Sequence, residues 1–335
     1  MSHARVSAGG SARVGSAHFV IGIEIGGRGQ RVVVADDAGH IVGEARAVDA
    51  NAHASVVLET VLGLIDQAHL KAGVDLSDVA GIGIAFSGPV DTERGLTLLS
   101  HRAPGFEDFP LVNLIEDGVG IPAVLDNNAR AAALGEMRFG TARGVSNLVY
   151  VHLGAGVGGG IIVDGRLLRG VSRTAGEIGH MVVSDGGPVC SCGKPGHLEA
   201  YAAAPSILRR FRERAAAADA SAADPDVDRL TVRAVFEASR RGSMVAREIV
   251  DETVHVLGVA IANLITVLNP AAVVIGGVVG EVGSLLIDPL GARVRQYSYP
   301  SSAKRVRLAA SELGSNASAV GAVALALSAF PPVTS

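Results

Sequence analysis

Two histidines and two cysteines fall close together in the chain, as His180, Cys190, Cys192 and His197, with Gly186, Gly187, Gly193 and Gly196 between them. Thiolate and imidazole are the donors that zinc takes in a tetrahedron, and glycines let a short stretch of chain wrap one ion. The bland alternative is two buried cysteines with incidental histidines nearby. Against it, both cysteines of the protein lie in this one loop. Four protein ligands would close the coordination sphere, so the expected zinc is structural and orders a loop with little core of its own. A disulfide between residues two apart would be strained, and one pair is no secreted framework. Reduced thiols and a cytoplasmic setting are expected.

Glycine-rich turns are the second chemical feature. Gly26-Gly27 closes one β-branched run, Gly154-Ala155-Gly156 opens a longer glycine series to Gly160, and Gly276-Gly277 closes another. Such turns let backbone N–H groups approach phosphate oxygens. Glycine hairpins are common, so each alone says little.

The elements that must hold these turns are legible from periodicity. FVIGIEIGG, RVVVADD and HIVGEARAV read as an antiparallel meander starting at Phe19. Ala52 to Leu70 has helical spacing, VAGIGIAF and PAVLD are buried strands, and a helix is predicted over Asn128–Met137. At Asn147 the pattern restarts with LVYVHLGAG and VGGGIIVDG. A loop-rich insertion, Arg173–Glu199, precedes helices running to about Asn269. AAVVIGG is the next strand, with helices after Glu281 and Asn316. Ala215–Asp228 reads as an exposed helix end plus loop. The repeated order predicts two similar α/β halves with a cleft between them.

Bulk composition excludes little but is consistent. The chain has 335 residues, 48% of them hydrophobic, 43 glycines, no tryptophan and a net charge of −4. That length fits two domains. The charge leaves no basic footprint for nucleic acid or an anionic membrane. The first 18 residues lack the apolar core of a signal peptide and read as a loose tail. The apolar stretch Leu257–Leu268 contains Asn263 and reads as a buried helix rather than a membrane span.

Glu177-Ile-Gly-His180 followed by CSCGKPGHLEAY resembles the signature of the ROK family of repressors, unassigned reading frames and sugar kinases. The likeness runs from IGIEIGG to the last helix, with several motifs in order. It implies an α/β, two-domain, actin-like or ribonuclease H-like sugar-kinase fold with an interdomain cleft. Residues 19–135 would form the first half, completed by helix 316–329. Residues 136–315 would form the second, carrying the zinc loop 180–197. His197 stands where the family usually has a third cysteine, and histidine is itself a competent zinc ligand.

The resemblance implies a small-molecule sugar held by Asn127, Glu177, His180 and Glu199, with Asn128 at the reacting hydroxyl. It places nucleotide at Glu24, Gly26, Gly27, Gly154, Gly156, Gly276 and Gly277. Departures gather on that nucleotide side. The family's D-x-G-G-T loop reads Glu24-Ile25-Gly26-Gly27-Arg28, and Ala155 replaces a threonine. Arg102 stands where a pocket asparagine is usual. The family's catalytic aspartate is replaced by Asn128, and an amide has no basic site near neutral pH. Asp126, two residues earlier, is the one candidate stand-in base. The expectation is a protein that binds a hexose or amino sugar with phosphotransfer reduced or lost, serving as a sensor. The alternatives are an active ATP-dependent, glucokinase-like sugar kinase and a scaffold that binds neither ligand. ATP and magnesium would be cofactors only with catalysis retained. Family repressors carry an N-terminal winged helix-turn-helix, for which the tail before Phe19 has no helical period, so direct DNA binding is not expected. A homodimer or homotetramer is implied.

Overall fold

Residues 19–49, 51–100, 103–218 and 230–331 are described by the computed structural model. The readings placed on the tail, on Arg102 and on most of Ala215–Asp228 lie outside the described residues. The first half opens with the predicted meander, β1 (Phe19–Gly26), β2 (Gly29–Asp36) and β3 (Ile41–Ala47), paired antiparallel. Helix α1 (Ala54–Ala72) falls on the predicted helical span and buries Val57, Val61, Leu64, Ile65 and Ala68 at i, i+3, i+4 spacing; of the apolar positions that marked it, Val61 and Ile65 are buried and Val56 is exposed. It leads to β4 (Val79–Phe86), a short hairpin of β5 (Val90–Asp91) and β6 (Leu96–Thr97), α2 (Leu111–Val119) and β7 (Ala123–Asn127). The sheet order is β3-β2-β1-β4-β7, with β1, β4 and β7 parallel.

The second half repeats that plan. Helix α3 (Asn128–Arg138) crosses to β8 (Leu148–Leu153), β9 (Val157–Val163) and β10 (Arg166–Leu167), another antiparallel meander. After the loop-rich insertion come α4 (Glu199–Ala202), α5 (Ala204–Ala216), α6 (Val232–Arg241) and α7 (Met244–Leu268). Then follow β11 (Ala272–Gly276), α8 (Gly277–Gly280), α9 (Ser284–Tyr297), α10 (Pro300–Ala303), β12 (Arg307–Ala310) and α11 (Ala317–Ala329). Its sheet order, β10-β9-β8-β11-β12, matches that of the first half position for position.

Helices α3 and α11 lie between the sheets, and small residues let them do so. A side chain at Gly83 of β4 would collide with the Ala322 carbonyl of α11, and one at Gly321 with the Ala131 carbonyl of α3. On its other side α3 meets β9, where a β-carbon on Gly160 would sit 2.5 Å from the Ala133 methyl. Alanine and glycine at these faces bring backbones within packing distance while leaving no room for branched side chains. Helix α7 is, among the described residues, the one helix long and apolar enough to cross a membrane. Most of its apolar window is buried, with Ile249, Leu257, Ile261 and Ile265 in the core of the second half.

Candidate functional site

The ligand atoms of His180, Cys190, Cys192 and His197 all lie within 4.8 Å of one another. Cys190 Sγ is 3.7 Å from His180 Nδ1, and Cys192 Sγ is 3.3 Å from His197 Nδ1. Zinc bonds of about 2.0–2.3 Å in a tetrahedron put neighbouring donors roughly 3.3–3.8 Å apart, so the set fits that ion. A three-residue turn, Ile178–His180, aims His180 inward. His197 is held by a bridge between its backbone and Val182, and Cys190 N–H bonds the Lys194 carbonyl. His180 and His197 meet edge to face at 5.4 Å.

Glu199 joins this loop to the glycine turn of the second half. Its Oε2 accepts from Val157 N–H at 3.0 Å, and its Oε1 from the Ser191 hydroxyl at 2.5 Å. Burial pushes its carboxyl up, but the bonds from Ser191, Val157 and Cys190 outweigh that and hold it below its ordinary value. Glu177 starts the turn that carries His180, and its carboxylate bonds no described residue. That leaves both oxygens to accept from a ligand hydroxyl.

Asn127 caps α3. Its carbonyl accepts from Ala129 N–H and Arg130 N–H, and Nδ2 donates to the Gly88 carbonyl at 3.0 Å. One amide hydrogen remains for a ligand. Asn128 is the first helical residue and is half-buried at the same strand-to-helix corner.

Asp126 is not the stand-in base that its position in the strand allowed. It is fully buried and accepts from Arg130 Nε at 2.5 Å, Asn127 N–H at 2.8 Å and Arg169 Nη2 at 2.8 Å. Arg130 also donates to the Arg173 carbonyl, and Arg173 pairs with Glu93 on the β5–β6 hairpin. Arg173 stands in the left-handed region at φ 63, a conformation that branched and long side chains rarely adopt. The carboxylate is thus saturated by cations and cannot reach a substrate alcohol. Sequence reading singled out none of these arginines. Arg130 carried a signal, since an arginine at the start of an alanine-rich helix four residues after an aspartate in a buried strand is placed to pair with it. Asp126→Asn should lower stability by about 3 kcal/mol in denaturant unfolding, because Arg130 keeps its charge with no room to turn to water. An unchanged unfolding midpoint would show that the pair contributes nothing.

On the opposite side, the β1–β2 turn presents Glu24 and Arg28. Glu24 Oε1 would lie 3.9 Å from a β-carbon on Gly26, so the carboxylate sits against that glycine turn. Burial raises its carboxyl above the ordinary value, against the pull of Arg28, Arg31 and Arg46. Arg28 donates to the Ser315 carbonyl at 2.8 Å, next to the start of α11. Gly277 is in the left-handed region at φ 78, and a side chain on Gly276 would collide with the Tyr150 hydroxyl. The carboxyl ends of β1, β7, β8 and β11 therefore carry the three glycine turns and the Asn127–Asn128 corner, with Glu199 bonded to Val157 at the second turn and Gly158 packed against Ala129 of α3. That is where open α/β sheets bind ligands.

Known proteins resemble this chain over most of its length. The ROK family profile matches residues 20–329. A glucokinase of Halalkalibacterium halodurans is 34% identical over 311 residues, 91% of this chain and 94% of that protein. A xylose repressor of Caldicellulosiruptor bescii is 30% identical over 92% of this chain and 78% of its own length. Among solved structures, a ROK family glucokinase from Streptomyces griseus in complex with glucose and AMPPNP superposes with a TM-score of 0.80 at 32% identity, covering 92% of this chain and 99% of that one.

Proposed function

The chain belongs to the ROK family, and from that premise we propose that it is a hexose-binding, sugar-kinase-like protein whose phosphotransfer is strongly slowed. The observation that carries this reading is the state of the strand-to-helix corner. Asn128 offers an amide where a general base is needed, and the nearest carboxylate, Asp126, is consumed by Arg130 and Arg169. An amide donates and accepts hydrogen bonds, so it still holds a sugar hydroxyl; it does not take its proton. Glu177, Glu199, His180 and the free amide hydrogen of Asn127 supply the remaining contacts that a polyol needs.

Zinc fits the four-residue set and would hold His180 directly and, by fixing the loop whose Ser191 hydroxyl donates to it, Glu199. Its role is to fix the wall of the sugar pocket. Glucose is the first candidate, because the structural relative from Streptomyces griseus binds it. The same relative binds a nucleotide analogue, which supports a nucleotide site at the glycine turns. Loss of the base affects rate and not binding, so ATP and magnesium belong to this reading as ligands even where turnover is slow. An active glucokinase is the competing reading, supported by the kinase relatives themselves.

Calorimetry against a hexose and amino-sugar panel, followed by a coupled ADP assay on the best ligand, separates the two. The expected result is micromolar to millimolar sugar binding with turnover well below the ordinary enzyme range of about 1–10³ s⁻¹. Turnover within that range would overturn the slowed-kinase reading. Absence of any sugar binding would overturn both.

A further inference from the structure

His152 is a histidine in an otherwise apolar strand, and the fold sets it at the floor of the cleft. It lies near the carboxyl end of β8, paired with Gly158 of β9 on one side and Gly276 of β11 on the other. Both glycine turns of the second half therefore flank it. We propose that His152 donates a hydrogen bond from Nε2 to a phosphate oxygen of a bound nucleoside di- or triphosphate. The assignment rests on the nucleotide half of the reading above.

The direction of that donor follows from its neighbour. Tyr150 and His152 are two residues apart on one strand and share a face. Tyr150 is completely buried, and burial drives its phenol above its ordinary range, so the O–H persists. The hydroxyl lies 3.4 Å from His152 Nδ1. Among the described residues that nitrogen is the buried hydroxyl's one partner, and an undonated buried O–H costs more than an unused lone pair, so Nδ1 is assigned as acceptor and the hydrogen of the neutral ring to Nε2. Nε2 in turn faces the glycine turn: a β-carbon on Gly154 would sit 2.7 Å from it. Glycine at 154 is thus what lets the imidazole edge lie against the turn.

The charged group acting on this ring is Arg28 of the first half, itself paired with Glu24. Burial, reinforced by the Arg28 guanidinium, holds the imidazole down at about 4, so it is uncharged at neutral pH. An uncharged donor beside a cation suits a polyanion, since it adds a directed bond without a further charge to bury. Other side-chain donors are scarce at this position. Ala155 brings no hydroxyl to the turn, and Arg28 is tied back to the Ser315 carbonyl. His152 is then the side-chain donor at the second turn. Sequence alone passes it over, because a histidine alternating with tyrosine in LVYVHL reads as a satisfied core residue.

The test is calorimetry of magnesium–AMPPNP and of glucose with wild type, His152→Ala, His152→Gln and Tyr150→Phe. His152→Ala should weaken AMPPNP about tenfold, the loss of one hydrogen bond to a charged group. His152→Gln, whose amide N–H reaches in the same direction, should recover most of that loss. Tyr150→Phe removes the group that fixes the tautomer and should weaken AMPPNP by about two- to threefold, while glucose affinity stays unchanged in all three. Wild-type affinity in His152→Ala would overturn the assignment alone. Equal weakening in the alanine and glutamine variants would also overturn it, because a space-filling role predicts no rescue by a donor. A wild-type protein that binds no AMPPNP would sink both this assignment and the nucleotide site beneath it.

Discussion

Asn128→Asp should raise the rate of phosphoryl transfer to the bound hexose by on the order of 10²–10⁴. The residue is the first of α3, directly after the cap Asn127, so a carboxylate there meets the positive end of the helix and costs the fold nothing. The change is nearly isosteric, exchanging one amide nitrogen for an oxygen. What it adds is a group that is ionised at neutral pH and placed where the proposed reading puts the reacting sugar hydroxyl. Because a base acts in the transition state, the gain should appear in kcat with KM for sugar little altered. A coupled ADP assay at saturating glucose and ATP measures it. An Asn128→Asp variant that binds both ligands and turns over no faster than wild type would place the defect elsewhere. Glu24 and Arg28 would then be the residues to restore, since phosphoryl transfer depends as much on charge and positioning as on the proton.

That expectation depends on what the sequence could and could not reveal at one corner. The identity of position 128 was readable from LDNNAR, because a strand followed by a capped helix is a local pattern. The two halves were readable for the same reason: each meander, each glycine turn and the α1 stripe is set by residues within a few positions of one another. The fate of Asp126 was not readable. A strand neighbour at i−2 can point the same way as Asn128, and alternation alone leaves it eligible. What removes it, beside Arg130, is Arg169, forty-three residues later in sequence, which approaches because β9, with β10 paired to its edge, packs against α3. The role of α3 was also partly hidden. Its sequence ends the first half, yet alanines on its two faces meet α11 and β9 at once, so it joins the sheets. Likewise α7 extends well beyond the dozen apolar residues that marked it, because its first turns bury one face only.

On the proposed reading, stripping zinc, or replacing one of its thiolates, should lower sugar affinity by at least about a hundredfold, because the loop has few apolar anchors and would lean on the metal for order. Cys190 and Leu198 are buried, but Val182 and Val189 are 66% and 59% exposed. Beyond these, and beyond buried Ile178 and the partly buried Met181 and Val183, the described loop is held by isolated bridges at Val182–His197 and Val189–Pro195, the Ser191–Glu199 bond and a handful of turn hydrogen bonds. Four-ligand zinc sites of this kind contribute on the order of 10 kcal/mol to ordering their chain. A sugar bound in the micromolar to millimolar range supplies about 4–8 kcal/mol, and therefore cannot reassemble the loop unaided. Two of the proposed sugar contacts would go together, because His180 belongs to the proposed ligand set and Glu199 accepts from Ser191 of the same loop. Cys192→Ser is the cleaner variant, since Cys192 is exposed and its loss leaves the apolar core intact. Metal analysis should find about one zinc per wild-type chain and almost none in the variant, with far-UV circular dichroism unchanged and glucose binding gone. Glucose affinity that survives in the zinc-free protein would mean that the pocket wall stands on its own packing, and the metal's place in the sugar site would have to be given up.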